Sequence, residues 1–313
     1  MSSSTDKGIY RGEFEGRDGY FLPSLGRCDL SMTLESGQAF RWKSTGGAFD
    51  GVISGRYVRL RQAGESSVFI EGSDELEARF VSHYLALDMD QPRIESELSA
   101  LGGHIEKAVA SSTGLRTLRQ EPWETLIAFI ISANNGVPNI TRVIDSLSSR
   151  YGDRVEGPFG AYSRFPRPDQ LADAGHEGVW SCKAGFRTRG ICEAARGVLD
   201  GTIDLDAIAA SPYLEAKKLL LPLHGVGEKV ADCILLFSMG KLEAFPVDVW
   251  IERIVRLLYF EGAKHNHRYI RSWAAETFGQ NAGLANQFLF NYGRKFAARQ
   301  LRQDEKAARE AER

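Results

Sequence analysis

LHGVGEKVADCI, residues 223–234, places glycines at 225 and 227 and follows them with a lysine, Lys229, at the start of an apolar-periodic run. On either side, PYLEAKKLLLPL (212–223) and EKVADCILLFSMG (228–240) carry helical periodicity, so HGVG is the short turn of a helical hairpin. Gly225 and Gly227 permit a turn that leaves backbone N–H groups exposed at the second helix's N-terminus. Such a terminus holds a phosphate without any basic side chain, although an ordinary interhelical turn has the same sequence. The spacing of a Walker P-loop is absent. Lys229 is therefore open to three readings: phosphate binding, simple solvation and nucleophilic catalysis.

FPVDVWIERIV (245–255) puts Asp248 just before another apolar-periodic helix, 19 residues after Lys229. An aspartate there caps the helix by accepting its free amides. A capping carboxylate can also point into a cleft. Lysine is a poor nucleophile near neutrality, with an unperturbed pKa of about 10.4, unless desolvation or a neighbouring cation lowers it. A carboxylate alone has the opposite effect, so Asp248 is better suited to stabilising a developing cation or steering a proton.

Up to about residue 71 the pattern is strand-like, with CDLSMTL (28–34), AFRWK (39–43), FDGVIS (49–54), YVRLRQ (57–62) and SVFIEG (67–72) separated by turn signals. From Asp74 the period becomes helical. DELEARFVSHYLAL (74–87) predicts one buried face of Leu76, Phe80, Val81, Tyr84 and Leu85. Helices follow over WETLIAFIISAN, ITRVIDSLSSRYG, TRGICEAARGVL, the hairpin, DVWIERIVRLLYF and a last long segment from about Gly283. The class expected is α+β: an N-terminal antiparallel sheet domain with linking helices (1–112), a helical body (113–300) and a charged tail (301–313). No internal repeat interrupts this order.

The 313 residues carry a formal net charge of −2, which gives no whole-chain support to a polyanionic partner. Residues 181–300, however, hold 16 Lys/Arg against 12 Asp/Glu, so one lobe is net positive. No apolar run approaches membrane-spanning length. The polar N-terminus lacks the apolar core of a secretion signal. Four scattered cysteines without C-x-x-C spacing read as reduced intracellular thiols and argue against a zinc site or an iron–sulfur cluster.

Taken together, the hairpin LHGVGEKVADC, PVDVW (246–250), ESGQAFRW (35–42), LRQEPWETLIAFIISANN (118–135), AGFRTR (184–189) and AGLANQFLF (282–290) resemble the helix–hairpin–helix DNA glycosylases. Within them the pattern is most similar to the 8-oxoguanine branch, bifunctional glycosylase/AP lyases of base excision repair. The similarity runs from about Asp29 to Arg294.

The resemblance implies that Lys229 attacks C1′ of the damaged nucleotide and forms a Schiff base that undergoes β-elimination, with Asp248 stabilising the cationic sugar. It implies that the flipped base stacks between Cys233 and Phe290, and that the Gly37 carbonyl accepts the N7 hydrogen that distinguishes 8-oxoguanine from guanine. Cys233 falls one helical turn after Lys229, on the same face. Phe186 matches the wedge that fills the vacated stack and Arg187 the reader of the orphaned cytosine. Arg189 would bond the same base or a phosphate, and Asn134 would occupy space near the estranged base, a position equally compatible with a helix cap.

Four positions depart from the pattern. Asn286 stands where the family has the base-reading glutamine, with Gln287 next to it. Asn139 replaces a second cytosine-reading arginine, so relaxed opposite-base preference is expected. Trp250 replaces a histidine and would reach the lesion's phosphate through its indole N–H; His224 replaces the hairpin proline.

The partner implied is double-stranded DNA containing 8-oxoguanine, met by an intracellular monomer without membrane attachment. No cofactor is expected, with a structural cation at the hairpin left open. Two alternatives remain: a relative excising another base, and a non-catalytic helix–hairpin–helix DNA-binding module.

Overall fold

A computed structural model describes residues 8–294. Two strands absent from the sequence reading open the chain, β1 (Tyr10–Phe14) and β2 (Arg17–Pro23). They form a tight hairpin around Glu15 and Gly16, both at positive φ. β3 (Trp42–Thr45), β4 (Ala48–Ile53), β5 (Arg56–Gln62) and β6 (Ser67–Glu71) complete one antiparallel sheet, ordered β1-β2-β6-β5-β4-β3.

CDLSMTL is not a strand. Asp29 accepts the Met32 amide at 2.8 Å and caps α1 (Leu30–Leu34), a helix of 5 residues. The alternating Leu30, Met32 and Leu34 mimic a strand period, but the cap starts a helical turn that buries Leu30 and Leu34 under the sheet. α2 (Glu75–Tyr84) lies on the same face, capped by Asp74. Its buried residues are Ala78, Val81 and Tyr84, with Leu85 following; Leu76 is 69% exposed, contrary to the predicted face. Leu76 sits in the first turn, before the helix reaches the sheet.

Two further apolar cores lie in the helical body. α3 (Gln91–Ser99) and α4 (Gly103–Ala110) bury Leu98, Ile105 and Val109 against α12 (Val249–Tyr259), α13 (His267–Phe278) and a terminal helix whose described part is 282–294. This second core is discontinuous in sequence. The third surrounds α5 (Pro122–Ser132), which is buried on almost every side and is therefore a central helix without an amphipathic stripe.

Around α5 pack α6 (Val137–Tyr151), α7 (Pro168–Ser181), α8 (Thr188–Leu199), α9 (Leu205–Ala210), α10 (Tyr213–Leu220) and α11 (Glu228–Ser238). A small hairpin, β7 (Arg154–Gly157) with β8 (Gly160–Ser163), reaches back to the sheet, where Tyr162 and Arg164 both donate to the Gly55 carbonyl. The charged tail expected over 301–313 lies outside the described residues.

Candidate active site

HGVG is the turn between α10 and α11, as the periodicity of its flanks requires. Gly225 holds φ +87, a left-handed conformation that costs a side-chain-bearing residue most, and Gly227 is the extended N-cap of α11. No side chain caps that helix, so its first amides are not taken by a capping side chain and the partial positive end of the dipole is presented outward. His224, Gly225 and Gly227 are all exposed.

Lys229 lies in the first turn of α11, partly exposed. Its Nζ is 3.5 Å from Ser132 Oγ at the end of α5 and 5.3 Å from the Phe129 ring centroid. Cys233 follows on the same face, buried. Burial pushes its thiol up to about 11, opposed by the charge of Lys229, so the sulfur stays protonated and apolar at neutral pH.

Asp248 is the N-cap of α12. Its Oδ1 alone accepts the Trp250 amide at 3.0 Å and the Ile251 amide at 2.8 Å, so the cap leaves Oδ2 uncommitted. From the terminal helix, Asn286 Nδ2 donates to the Pro246 carbonyl at 2.9 Å and Gln287 Nε2 donates to Asn286 Oδ1 at 3.2 Å. The two amides are therefore one unit, tied to the chain immediately before Asp248.

These elements enclose a cleft of about 720 Å³ lined by Gly37, Lys229, Cys233, Asp248, Trp250, Asn286, Gln287 and Phe290. Eight predicted residues from four distant segments thus meet on one cavity, large enough for a purine and its sugar. Trp250 is 44% exposed at the cleft, with Arg253 stacked on its ring.

Asn134, Phe186 and Arg187 form a second group. Asn134 is exposed just past the end of α5 at φ +49, as a left-handed helix stop is. Arg187 donates from Nε and Nη2 to the Ala133 carbonyl, at 2.9 and 2.6 Å, and from Nη2 to the Asn134 carbonyl at 2.8 Å. Its guanidinium also lies 4.3 Å from the Phe186 ring centroid. Phe186 itself is 63% exposed, an aromatic ring projecting from a stiff 3₁₀ turn, Gly185–Arg187. Arg189 stands apart, paired with Glu193 at 2.7 Å on the surface of α8. Asn139 donates to Asn135 Oδ1 at 2.9 Å and accepts from Arg142 Nη1 at 2.9 Å.

Sequence reasoning missed Ser132 and Phe129, which flank the lysine, and Gln38, which fixes the loop of Gly37. All three read as ordinary helix or turn residues; only the packing of α5 against α11, and of the end of α1 and the 35–40 loop against 116–120, gives them a role. Among the described residues no group of three or more His, Cys, Asp or Glu side chains could hold a metal ion. No described helix is long and apolar enough to cross a membrane.

The family model for the N-terminal domain of 8-oxoguanine DNA glycosylase matches residues 21–126, and that of the HhH-GPD superfamily of base excision DNA repair proteins matches residues 127–279. A probable N-glycosylase/DNA lyase of Methanothermobacter thermautotrophicus is 32% identical over 301 residues, covering 87% of this chain and 95% of that one. The N-glycosylase/DNA lyase of Saccharomyces cerevisiae is 30% identical over 266 residues, covering 76% and 70%. The solved structure of Clostridium acetobutylicum 8-oxoguanine glycosylase/lyase, in complex with double-stranded DNA containing cytosine opposite 8-oxoG, superposes with a TM-score of 0.85 at 33% identity, covering 92% of this chain and 98% of that one. With these matches spanning both the sheet domain and the helical body, the chain belongs to the 8-oxoguanine glycosylase/lyase family of the HhH-GPD superfamily.

Proposed function

We infer that the protein excises 8-oxoguanine from duplex DNA and cleaves the resulting strand as an AP lyase. The observation that carries this reading is the convergence of Lys229, Asp248, Cys233, Phe290 and Gly37 on one cleft. A non-catalytic hairpin module has no use for a lysine and a carboxylate in a base-sized cavity.

In the proposed reaction the damaged nucleotide is swung out of the stack into the cleft. The unprotonated Lys229 amine forms a bond to C1′ while the glycosidic C1′–N9 bond breaks, and the base leaves with that electron pair and takes up a proton. The substituted amine gives up a proton, its electron pair forms the C1′=N bond of the Schiff base as the C1′–O4′ bond breaks, and O4′ takes that bond's pair and a proton. Loss of a C2′ proton then expels the 3′ phosphate, which completes β-elimination. Asp248 opposes the positive charge that grows on the sugar, an effect that is strongest where water is excluded. Cys233 and Phe290 sandwich the base, the Asn286–Gln287 amide pair meets its edge, and the Gly37 carbonyl accepts its N7 hydrogen. Guanine would present an acceptor to that carbonyl, so a single polar clash discriminates.

Outside the cleft, Phe186 is the wedge, and Asn134 with Arg187 lines the space of the unpaired base. Arg189, Trp250 and the hairpin amides at Gly225 and Gly227 take phosphates. The proposed steps call on no second subunit and on no cofactor, and the protein is proposed to act as a monomer. Any cation at the hairpin would rest on backbone carbonyls, of which that of Leu223 already accepts the Val226 amide.

The test is excision from duplexes carrying 8-oxoguanine opposite each of the four bases, with undamaged duplex as control. Base release and a strand break are expected only for the oxidised duplexes. Because Asn139 is bonded to Asn135 and Arg142 and offers no guanidinium of its own, rates within about tenfold across the four are expected. Release from undamaged guanine at the same rate would contradict the reading.

A further inference from the structure

We propose that Gln38 and Gln120 fix the position of the Gly37 carbonyl and so hold the discrimination between oxidised and normal guanine. The inference rests on the role given above to Gly37. Gly37 has φ +90, a region where glycine has wide freedom, so its own backbone does not set the direction of its carbonyl. No group among the described residues donates a hydrogen bond to that carbonyl. Its aim must come from its neighbours.

Gln38 supplies the first restraint. It is 1% exposed, and its amide is fully engaged: Nε2 donates to the Thr33 carbonyl at 3.0 Å and to the Arg116 carbonyl at 2.8 Å, while Oε1 accepts the Leu118 amide at 2.8 Å. One side chain thus ties the end of α1 to the segment that leads into α5. Gln120 supplies the second, donating from Nε2 to the main-chain carbonyl of Gln38 at 2.6 Å. With the side chain and the carbonyl of Gln38 both fixed, rotation of the adjoining Gly37–Gln38 peptide is restrained.

Gln120 is also tied to the helix that carries Lys229. Its backbone amide donates to the Phe237 carbonyl at 2.8 Å, and Phe237 lies on α11, the helix of Lys229. A single residue therefore joins the loop that reads the base to the helix that attacks the sugar. Neither glutamine needs to touch the base; both act through Gly37. A hydrogen bond weakens steeply with misalignment, so a modest swing of this carbonyl removes the preference for a protonated N7.

The experiment compares Gln120→Met and Gln38→Met with the unmodified protein on two duplexes under single-turnover conditions, one with 8-oxoguanine and one with a preformed abasic site. The abasic site has no base for Gly37 to meet. The expected result is a loss of roughly tenfold or more in 8-oxoguanine excision, and an equal loss of binding preference over guanine duplex, with abasic-site cleavage changed less than about threefold. An equal loss on both duplexes, or no loss on the first, would overturn the proposal. Gln38→Met leaves the Arg116 carbonyl and the Leu118 amide without the bonds Gln38 gives them, while the Thr33 carbonyl keeps the Ser36 hydroxyl; if it does not fold, the half-buried Gln120→Met decides alone. An unmodified protein without preference for 8-oxoguanine would refute the functional reading itself, whereas a preference retained by Gln120→Met refutes only this inference.

Discussion

Lys229 Nζ and Ser132 Oγ are 3.5 Å apart, at the outer limit of a hydrogen bond, with the Phe129 ring beneath the ammonium. The side chain proposed as the nucleophile is therefore held by a weak tether and an aromatic face. No ion pair holds it among the described residues. Removing the tether costs little: Ser132→Ala is expected to slow excision by no more than about fivefold, the worth of one ordinary hydrogen bond. Single-turnover rates check this, and a loss near that of a Lys229 substitution would show that Ser132 takes part in the chemistry.

Asp248 caps α12, and the proposed reaction gives it a second, separable task. Asparagine caps helices as well as aspartate does, so Asp248→Asn preserves the bonds to the Trp250 and Ile251 amides and changes stability by less than about 1 kcal/mol. Loss of the charge facing the cationic sugar is expected to slow excision roughly a hundredfold or more. Thermal unfolding and single-turnover excision, measured on the same preparation, separate the two. A large drop in melting temperature with an unchanged rate would reverse the assignment.

The helix starts at Lys229 and Asp248 were legible in the sequence because each residue stands at a boundary marked by glycine or by an apolar period. Long amphipathic segments such as α6 and α8 were legible for the same reason. α1 was not: in a five-residue helix, Leu30, Met32 and Leu34 satisfy a period of two as well as one of 3.6, and the Asp29 cap decides between them. β1 was hidden by its mostly exposed Arg-Gly-Glu centre, β2 by the Arg17-Asp18-Gly19 run that opens it, and β7 and β8 by their length of 4 residues each. Gln38 and Gln120 were invisible because their partners are backbone groups about 80 residues away in the chain.

Asp232 and Lys217 clasp the two helices of the hairpin. Asp232 is fully buried, with Oδ1 2.7 Å from Lys217 Nζ and 2.7 Å from the Tyr213 hydroxyl. Burial raises its carboxyl above the usual range, and Lys217 opposes that shift. Asp232→Ala removes the buried carboxylate and leaves the nearly buried lysine with the half-exposed Glu228 and the Tyr213 hydroxyl, and is expected to destabilise the protein by about 3 kcal/mol in urea unfolding. The paired change Asp232→Leu with Lys217→Met is expected to recover most of that loss. If the double variant is no more stable than Asp232→Ala alone, loss of the lysine's buried counter-charge is not the cause.

Glu124, on α5, gives the stability a pH dependence. Burial pushes its carboxyl from 4.5 up to about 7, with Arg41, 3.6 Å away, opposing the shift and the nearby Glu121 adding to it. Between those values the folded protein keeps a proton that the unfolded chain releases, so stability present below the lower value is lost as pH rises through the higher. Each tenfold change in proton affinity is worth about 1.4 kcal/mol, which sets the loss at roughly 3 kcal/mol or less. Glu124→Gln is expected to gain on the unmodified protein across this window, as measured by urea unfolding at about pH 5 and about pH 7.5. A gap that does not widen with pH would contradict the burial of this carboxyl.

The central claim, that Lys229 forms a Schiff base with the sugar of an oxidised nucleotide, is tested by borohydride trapping on duplex DNA carrying a single 8-oxoguanine. A reduced covalent protein–DNA adduct is expected with the unmodified protein and none with Lys229→Gln, although that variant still binds the duplex. No adduct from the unmodified protein, or an adduct that persists in Lys229→Gln, would contradict the account.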